Sequence, residues 1–188
     1  EFPADCPMQD CTVRVHFTLS TATTSGVRTD LAVKYDTRTD VALKGEPFAF
    51  RLGCGAAPEA LETSIRLMIP KERARVVLDL TLGEKARRHG YGAKNCRADA
   101  PGVEYCAVDN ALATVQWDVV LESFDAAVNW YKADVQDMLN EALVIKEEAN
   151  ALFKTKVYEL ARSKYEKTLS KLESLRGLDE DDFEAVDA

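Results

Sequence analysis

Two groups of residues in this 188-residue sequence have types and spacings that could support chemistry. Tyr35 and Asp36 are adjacent and run into Thr37 and Arg38, which sets a carboxylate beside an aromatic ring at the start of a turn. Asp36 is suited to cap that turn. Tyr91 lies between Gly90 and Gly92 in a polar stretch, where it is either a loop-borne hydroxyl or a loop anchor. Lys146 and Asn150 are four apart and share one face of a helix, while a lone helix lysine is ordinarily just solvated. Gly53-x-Gly55-x-x-Pro58 follows a β-rich run and opens a helical one, as a nucleotide-binding turn would. Its third glycine is missing and no βαβ repeat surrounds it, so a nucleotide site is rejected. Neither His16 nor His89 has a serine or cysteine at catalytic spacing. The five cysteines (Cys6, Cys11, Cys54, Cys96 and Cys106) lack the paired spacing of a zinc site. No metal and no cofactor are expected.

The elements that must position these residues are legible from periodicity. Residues 11–19 alternate Val13, Val15, Phe17 and Leu19 on one face, the pattern of a half-buried strand. Residues 47–52 do the same with Phe48, Phe50 and Leu52, and 73–80 and 112–124 are two further β-rich runs. Between them, residues 58–68 place Leu61, Ile65 and Met68 at helical spacing, with Pro58 suited to a first turn. These imply an antiparallel sheet around one short helix, an α+β domain. Phe48, Phe50, Leu61 and Trp117 would serve as plain core in any such sheet. Residues 83–111 have no periodicity and read as a long loop.

After residue 124 the texture turns helical. Val135, Met138, Leu139, Ala142, Ala149, Leu152 and Phe153 form one series, and Tyr158, Ala161, Tyr165, Leu169 and Leu172 a second, with the reset at Lys156-Val157. An antiparallel helix pair follows. The expected organisation is a β-rich domain over 1–126, a helix pair over 127–176 and an acidic tail over 177–188.

Composition bounds the partners. Hydrophobic residues at 46% and charged residues at 30% give a globular balance. A net charge of -8 argues against nucleic acid, which needs a basic footprint. No run is apolar enough for a membrane span. Scattered cysteines fit reduced thiols in an intracellular protein. With no initiator Met and no signal-peptide pattern at Glu1, the sequence reads as a piece of a longer chain.

Several strings occur together and in order: Val15-His16-Phe17-Thr18, Tyr35-Asp36-Thr37-Arg38, Pro47-Phe48-Ala49-Phe50-Arg51-Leu52-Gly53, the helix ending in Met68, Tyr91-Gly92, and Trp117-Asp118-Val119. This array resembles the FK506-binding type of peptidyl-prolyl isomerase over roughly residues 1–125. The run Lys146-Glu147-Glu148-Ala149-Asn150, with Leu152-Phe153, Tyr158, Ala161, Tyr165 and Leu169, resembles a first tetratricopeptide repeat. Glu1-Phe2-Pro3, Cys6-Pro7, Ala57-Pro58-Glu59 and Arg66-Leu67-Met68-Ile69-Pro70 are similar to the last isomerase domain of plant Pasticcino-type multidomain immunophilins.

That resemblance implies a site. An X-Pro amide rotates over a barrier of ~18–20 kcal/mol. A dry aromatic pocket favours the less polar twisted amide. The resemblance makes Asp36 and Tyr91 the polar groups of such a site, and Phe17, Tyr35, Phe48, Ala57, Pro58, Leu61 and Trp117 its walls. Four of these depart from the family. Leu61 stands for a tryptophan floor, Ala57 for a valine and Phe17 for a residue with a hydroxyl. Pro58 occupies the position whose backbone N–H binds substrate, and proline has none. Weak or absent isomerase activity is the first expectation, with the domain acting as a protein-binding co-chaperone or scaffold. An active isomerase of proline-containing client proteins is the alternative. In chaperone-binding repeats of this family, a Lys and an Asn at the positions of Lys146 and Asn150 clamp a C-terminal carboxylate, which implies the tail of heat-shock protein ninety as a partner. Lys156 replaces a turn glycine and Thr168 a small alanine. A cytoplasmic or nuclear location follows from the family and the cysteine usage.

Overall fold

Alternating apolar and polar residues make one long strand, β1 (Thr12–Thr23), on which the whole sheet is built. The computed structural model describes residues 5–23, 31–79, 112–130 and 132–173. The loop expected over 83–111, His89, Tyr91, Cys96, Cys106 and the tail over 177–188 lie outside the described residues. β1 pairs along its length with β5 (Leu112–Asp125), antiparallel. Its other edge is shared. β3 (Phe48–Arg51) takes Thr12–Val15 and β2 (Ala32–Asp36) takes Thr18–Thr21. β4 (Arg73–Asp79) pairs with β5 on the far side, so all five strands form one antiparallel sheet.

One sheet face makes the core. Val13, Val15, Phe17 and Leu19 of β1 and Val115, Trp117, Val119 and Leu121 of β5 are buried on it. A register shift opposite Arg14 and Val15 leaves Glu122 unpaired in the ladder. That shift returns Phe124 to the core face despite its even number. Helix α1 (Glu59–Ile65) lies against this face through Ala60, Leu61 and Ile65. Its first turn is anchored by the segment that follows β3: Gly53 N–H donates to the buried Glu62 Oε2 at 2.8 Å. Gly53 has φ +83°, a left-handed backbone conformation that a side chain would strain, so the turn favours glycine. The opposite face is polar and held by cross-strand pairs, Arg75–Asp118 at 2.8 Å, Lys71–Glu122 at 2.6 Å and Arg14–Asp125 at 2.7 Å.

The α+β expectation is met, with corrections in detail. The helix expected over 58–68 stops at Ile65, and Leu67 and Met68 close with i→i+3 bonds instead. Pro70 disfavours helix at Ile69, which limits continuation. β2 is a strand that periodicity did not reveal, since Ala32, Val33 and Lys34 are all exposed. Among the described residues Cys6, Cys11 and Cys54 are buried and form no disulfide.

The chain divides into two units, Glu1–Ala127 and Val128–Ala188. The second is a helical hairpin of α2 (Val135–Lys154) and α3 (Tyr158–Glu173). Asp134 caps α2, its Oδ1 accepting from Asp137 N–H at 2.7 Å. At the other end Lys156 N–H bonds Phe153 O and Val157 N–H bonds Leu152 O, at 3.0 and 2.9 Å. That is a Schellman turn with Lys156 at φ +66°, the place usually given to glycine. α2 buries Met138, Ala142, Ile145, Ala149 and Leu152. α3 buries Ala161, Lys164 and Thr168, whereas Tyr158 and Leu169 of the expected stripe are exposed. Phe153 is exposed as well, its ring 5.3 Å from that of Tyr158. Among the described residues no helix is long and apolar enough to cross a membrane.

Candidate functional site

The residues named as pocket walls come together, but as core. Tyr35, Phe17, Phe48 and Phe50 form a row, with ring centroids 5.5, 6.3 and 5.2 Å apart in turn. Strand register produces the row, because Leu19 faces Tyr35 and Val15 faces Phe48 across β1. Trp117 is brought alongside by its pairing with Leu19 and Val76. Phe17 and Trp117 are each 1% exposed, Ala57 3% and Leu61 0%. Pro58 is buried too. Among the described residues named for this pocket, only Tyr35, Phe48 and Asp36 keep part of their surface open.

The polar groups near the row are already engaged. Asp36 Oδ1 accepts from Arg38 N–H at 2.9 Å, and Asp36 O accepts from Thr39 N–H and Asp40 N–H at 3.1 Å each. Asp36 therefore caps its turn. The Tyr35 hydroxyl donates to Asp40 Oδ2 at 2.6 Å. This bond, helped by Ala42 N–H, holds the Asp40 carboxyl below its ordinary range. Sequence reading missed Asp40, although Tyr35 and Asp40 flank one turn. It also missed the part Thr37 plays. Thr37 is fully buried, and its Oγ1 accepts from Phe17 N–H at 3.0 Å and lies 3.2 Å from His16 Nδ1. That hydroxyl fixes Tyr35-Asp36 against β1. At the start of α1, Pro58 offers no N–H, and its carbonyl accepts from Leu61 and Glu62. Among the described residues no group of three or more His, Cys, Asp or Glu is arranged to hold a metal.

Similarity to known proteins bears on this arrangement. The peptidyl-prolyl cis-trans isomerase PASTICCINO1 of Arabidopsis thaliana is 32% identical over 186 residues, which is 97% of this chain and 25% of that protein. This chain is homologous to a quarter of that isomerase. The likeness to this plant isomerase therefore holds over nearly the whole chain, sheet domain and hairpin together. No family model matches. Among solved structures, the crystal structure of residues 1–211 of CG17282 aligns at a TM-score of 0.48 and 17% identity, covering 93% of this chain and 66% of that one.

The second candidate site lies in the hairpin region of this isomerase relative. Lys146 and Asn150 are one turn apart on α2 and both are exposed. Asn150 Oδ1 accepts from the Tyr165 hydroxyl of α3 at 2.5 Å. Beside it, Lys164 Nζ reaches Glu148 Oε2 at 2.5 Å, with Lys164 only 5% exposed. Two polar links thus tie α3 to α2 around Asn150. Periodicity placed Tyr165 in an apolar stripe and gave no sign of this bond.

Proposed function

We propose that the chain is a disarmed FK506-binding-type isomerase domain followed by a first tetratricopeptide repeat, and that it works by binding proteins rather than by turning over prolyl bonds. One observation carries the reading. Leu61 and Ala57, where the resemblance calls for pocket floor and wall, are sealed in the core beside a Pro58 that has no N–H to donate. A pocket lowers the rotation barrier only through surface that a substrate can reach. Phe17 and Trp117 offer almost none. Asp36 is supported less as a substrate group than as the cap of its own turn. A missing donor alone removes ~0.5–1.5 kcal/mol of binding to the reacting amide, and the lost floor adds to it. At ~1.4 kcal/mol per decade the two together remove one to several decades of rate.

The hairpin supplies the binding function in this reading. Lys146 and Asn150 would hold the terminal carboxylate of an acidic peptide, such as the C-terminal tail of heat-shock protein ninety. The ammonium and the amide N–H both suit that acceptor. Proline-containing client proteins would meet the sheet domain as a scaffold, in the cytoplasm or nucleus.

A prolyl-isomerisation assay on the whole chain tests the proposal. The expected result is a rate at the uncatalysed background, with Asp36→Ala unchanged. Turnover near that of an intact family member, lost in Asp36→Ala, would overturn it in favour of an active isomerase.

A further inference from the structure

The strand order β2-β1-β5-β4 leaves β4 at one end of the sheet, and among the described residues no strand pairs with its outer edge. The turn before β4 fixes which backbone groups lie on that edge. Lys71 N–H donates to Leu121 O at 2.6 Å, and Leu121 N–H donates to Glu72 O at 3.1 Å. The antiparallel register runs on from there without a shift, so Ala74, Val76 and Leu78 turn their backbone groups to β5. Arg73, Arg75, Val77 and Asp79 turn theirs outward. Nothing within β4 blunts this edge, since Arg73–Asp79 contains no proline and no bulge. Side chains alternate in step. Ala74, Val76 and Leu78 pack on the core yet are only half-buried, while Arg73, Arg75 and Val77 are exposed, Val77 at 54%.

The order of residues along the edge is self-complementary. A second β4 running antiparallel, with Val76 at the two-fold centre, sets Arg73 opposite Asp79 of the second copy. It sets Ala74 opposite Leu78 and Val76 opposite Val76, which continues the apolar row. It sets Arg75 opposite Val77, where the arginine stem can cover an exposed valine. Arg73–Asp79 and Arg75–Val77 are then the hydrogen-bonded pairs, in agreement with the outward groups. Moving the centre to Arg75 sets that arginine against itself, and moving it to Val77 leaves only residues 75–79 in the overlap. Charges on an edge strand ordinarily repel other strands. Here they repel most strands and match this one.

We infer that β4 is a self-association edge. Two copies of this chain join β4 to β4, antiparallel and centred on Val76, into one continuous sheet. The inference stands apart from the isomerase and carboxylate readings above and uses none of their residues.

The experiment is analytical ultracentrifugation of the whole 188-residue chain over a concentration series, with the fold of each variant checked by circular dichroism. The wild type is expected to move from 20.8 kDa toward twice that mass as concentration rises. Arg73→Asp turns two attractive cross-strand pairs into repulsive ones and should raise the dimer dissociation constant about ten- to a hundredfold. Asp79→Arg should do the same. The two changes together should restore the dimer, because the pair is rebuilt with its signs exchanged. Val77→Pro removes an N–H that points away from β5, a change an edge strand tolerates, and should abolish the dimer. A chain that stays at 20.8 kDa up to millimolar concentration overturns the inference. So does a dimer that Arg73→Asp and Val77→Pro both leave intact, which would lie on another surface. A dimer lost in a natively folded Arg73→Asp and not regained in the double variant has a different register, and that also overturns it.

Discussion

The aromatic row of the sheet unit and the polar face of the hairpin were both drawn from the same kind of resemblance, yet they stand in opposite conditions. In the sheet, Phe17, Leu61 and Trp117 have no open surface, and Tyr35 and Asp36 spend their polar atoms on their own turn. In the hairpin, Lys146 and Asn150 are exposed, and among the described residues the Lys146 ammonium has no ion-pair partner. Apolar residues that could line a pocket are the same ones a core consumes, so a pocket can be closed without changing the sequence pattern that announced it. Polar residues on an outer helix face have no such second use. The difference teaches that homology to an isomerase says less about the sheet's chemistry than about its packing.

The largest effect expected from this contrast lies at Trp117. If it is core rather than pocket wall, Trp117→Ala costs ~3–5 kcal/mol, as deletion of a sealed large aromatic does. Hydrogen exchange followed peptide by peptide should then show lost protection across β1, β4 and β5. Unchanged protection would mean that Trp117 lines a space the domain can spare, and the comparison would break.

The hairpin answers to a polar change instead. Lys164→Met removes one partner of the pair with Glu148, which bridges α2 and α3. A hydrogen bond to a charged group contributes ~1.5–3 kcal/mol. The loss should sit at the lower end, since Glu148 is half-buried and can regain water. Thermal unfolding by circular dichroism checks the drop. Adding Glu148→Leu to Lys164→Met should recover most of it, because a buried pair exchanged for apolar residues is often neutral.

How far the sequence reaches follows the same divide. Alternation made β1 readable, β-rich composition marked β4 and β5, and helical spacing revealed the pair α2 and α3. β2 stayed hidden because its first three residues are all exposed and show no alternation. The inward face of α3 was misread for a physical reason. Counting apolar residues selects Tyr158 and Leu169, but the helix turns Lys164 and Thr168 inward, the first paired with Glu148 and the second bonded to Lys164 O at 2.9 Å. A buried polar residue declares itself only through its partner, which lies on another element. The aromatic residues Tyr35, Phe17 and Phe48 are gathered into one row by the strand register. Their burial was not legible, because an apolar residue of the same type serves either a core or an open surface.

A smaller change sharpens the hairpin side with the opposite sign. Lys156 closes α2 at φ +66°, which costs an L residue roughly 1–2 kcal/mol that glycine avoids. Its side chain is exposed, so little packing is lost. Lys156→Gly is therefore expected to stabilise the hairpin, by ~1 kcal/mol after the greater entropy of glycine in the unfolded chain is set against it. A raised melting temperature with unchanged helix content is the check.

The smallest effect belongs to the sheet's outer face, where the charges are open to water. Arg75 holds the Asp118 carboxyl below its ordinary 3.8 by a direct hydrogen bond. Lys71 does the same for Glu122, below its ordinary 4.5, and Arg14 for Asp125. A carboxyl whose folded value is depressed binds its proton more weakly folded than unfolded. Its contribution to stability is complete above the ordinary value and is lost as the pH falls through the folded one. Acid should therefore begin to loosen this face below roughly pH 5, and salt should blunt the effect because exposed pairs are screened. Arg75→Gln returns Asp118 toward its ordinary range and should make the acid loss shallower. The comparison is urea unfolding of wild type and Arg75→Gln at neutral pH and near pH 3. Equal acid sensitivity in the two would show that the cross-strand pairs add nothing, and that the sheet is held by its sealed face alone.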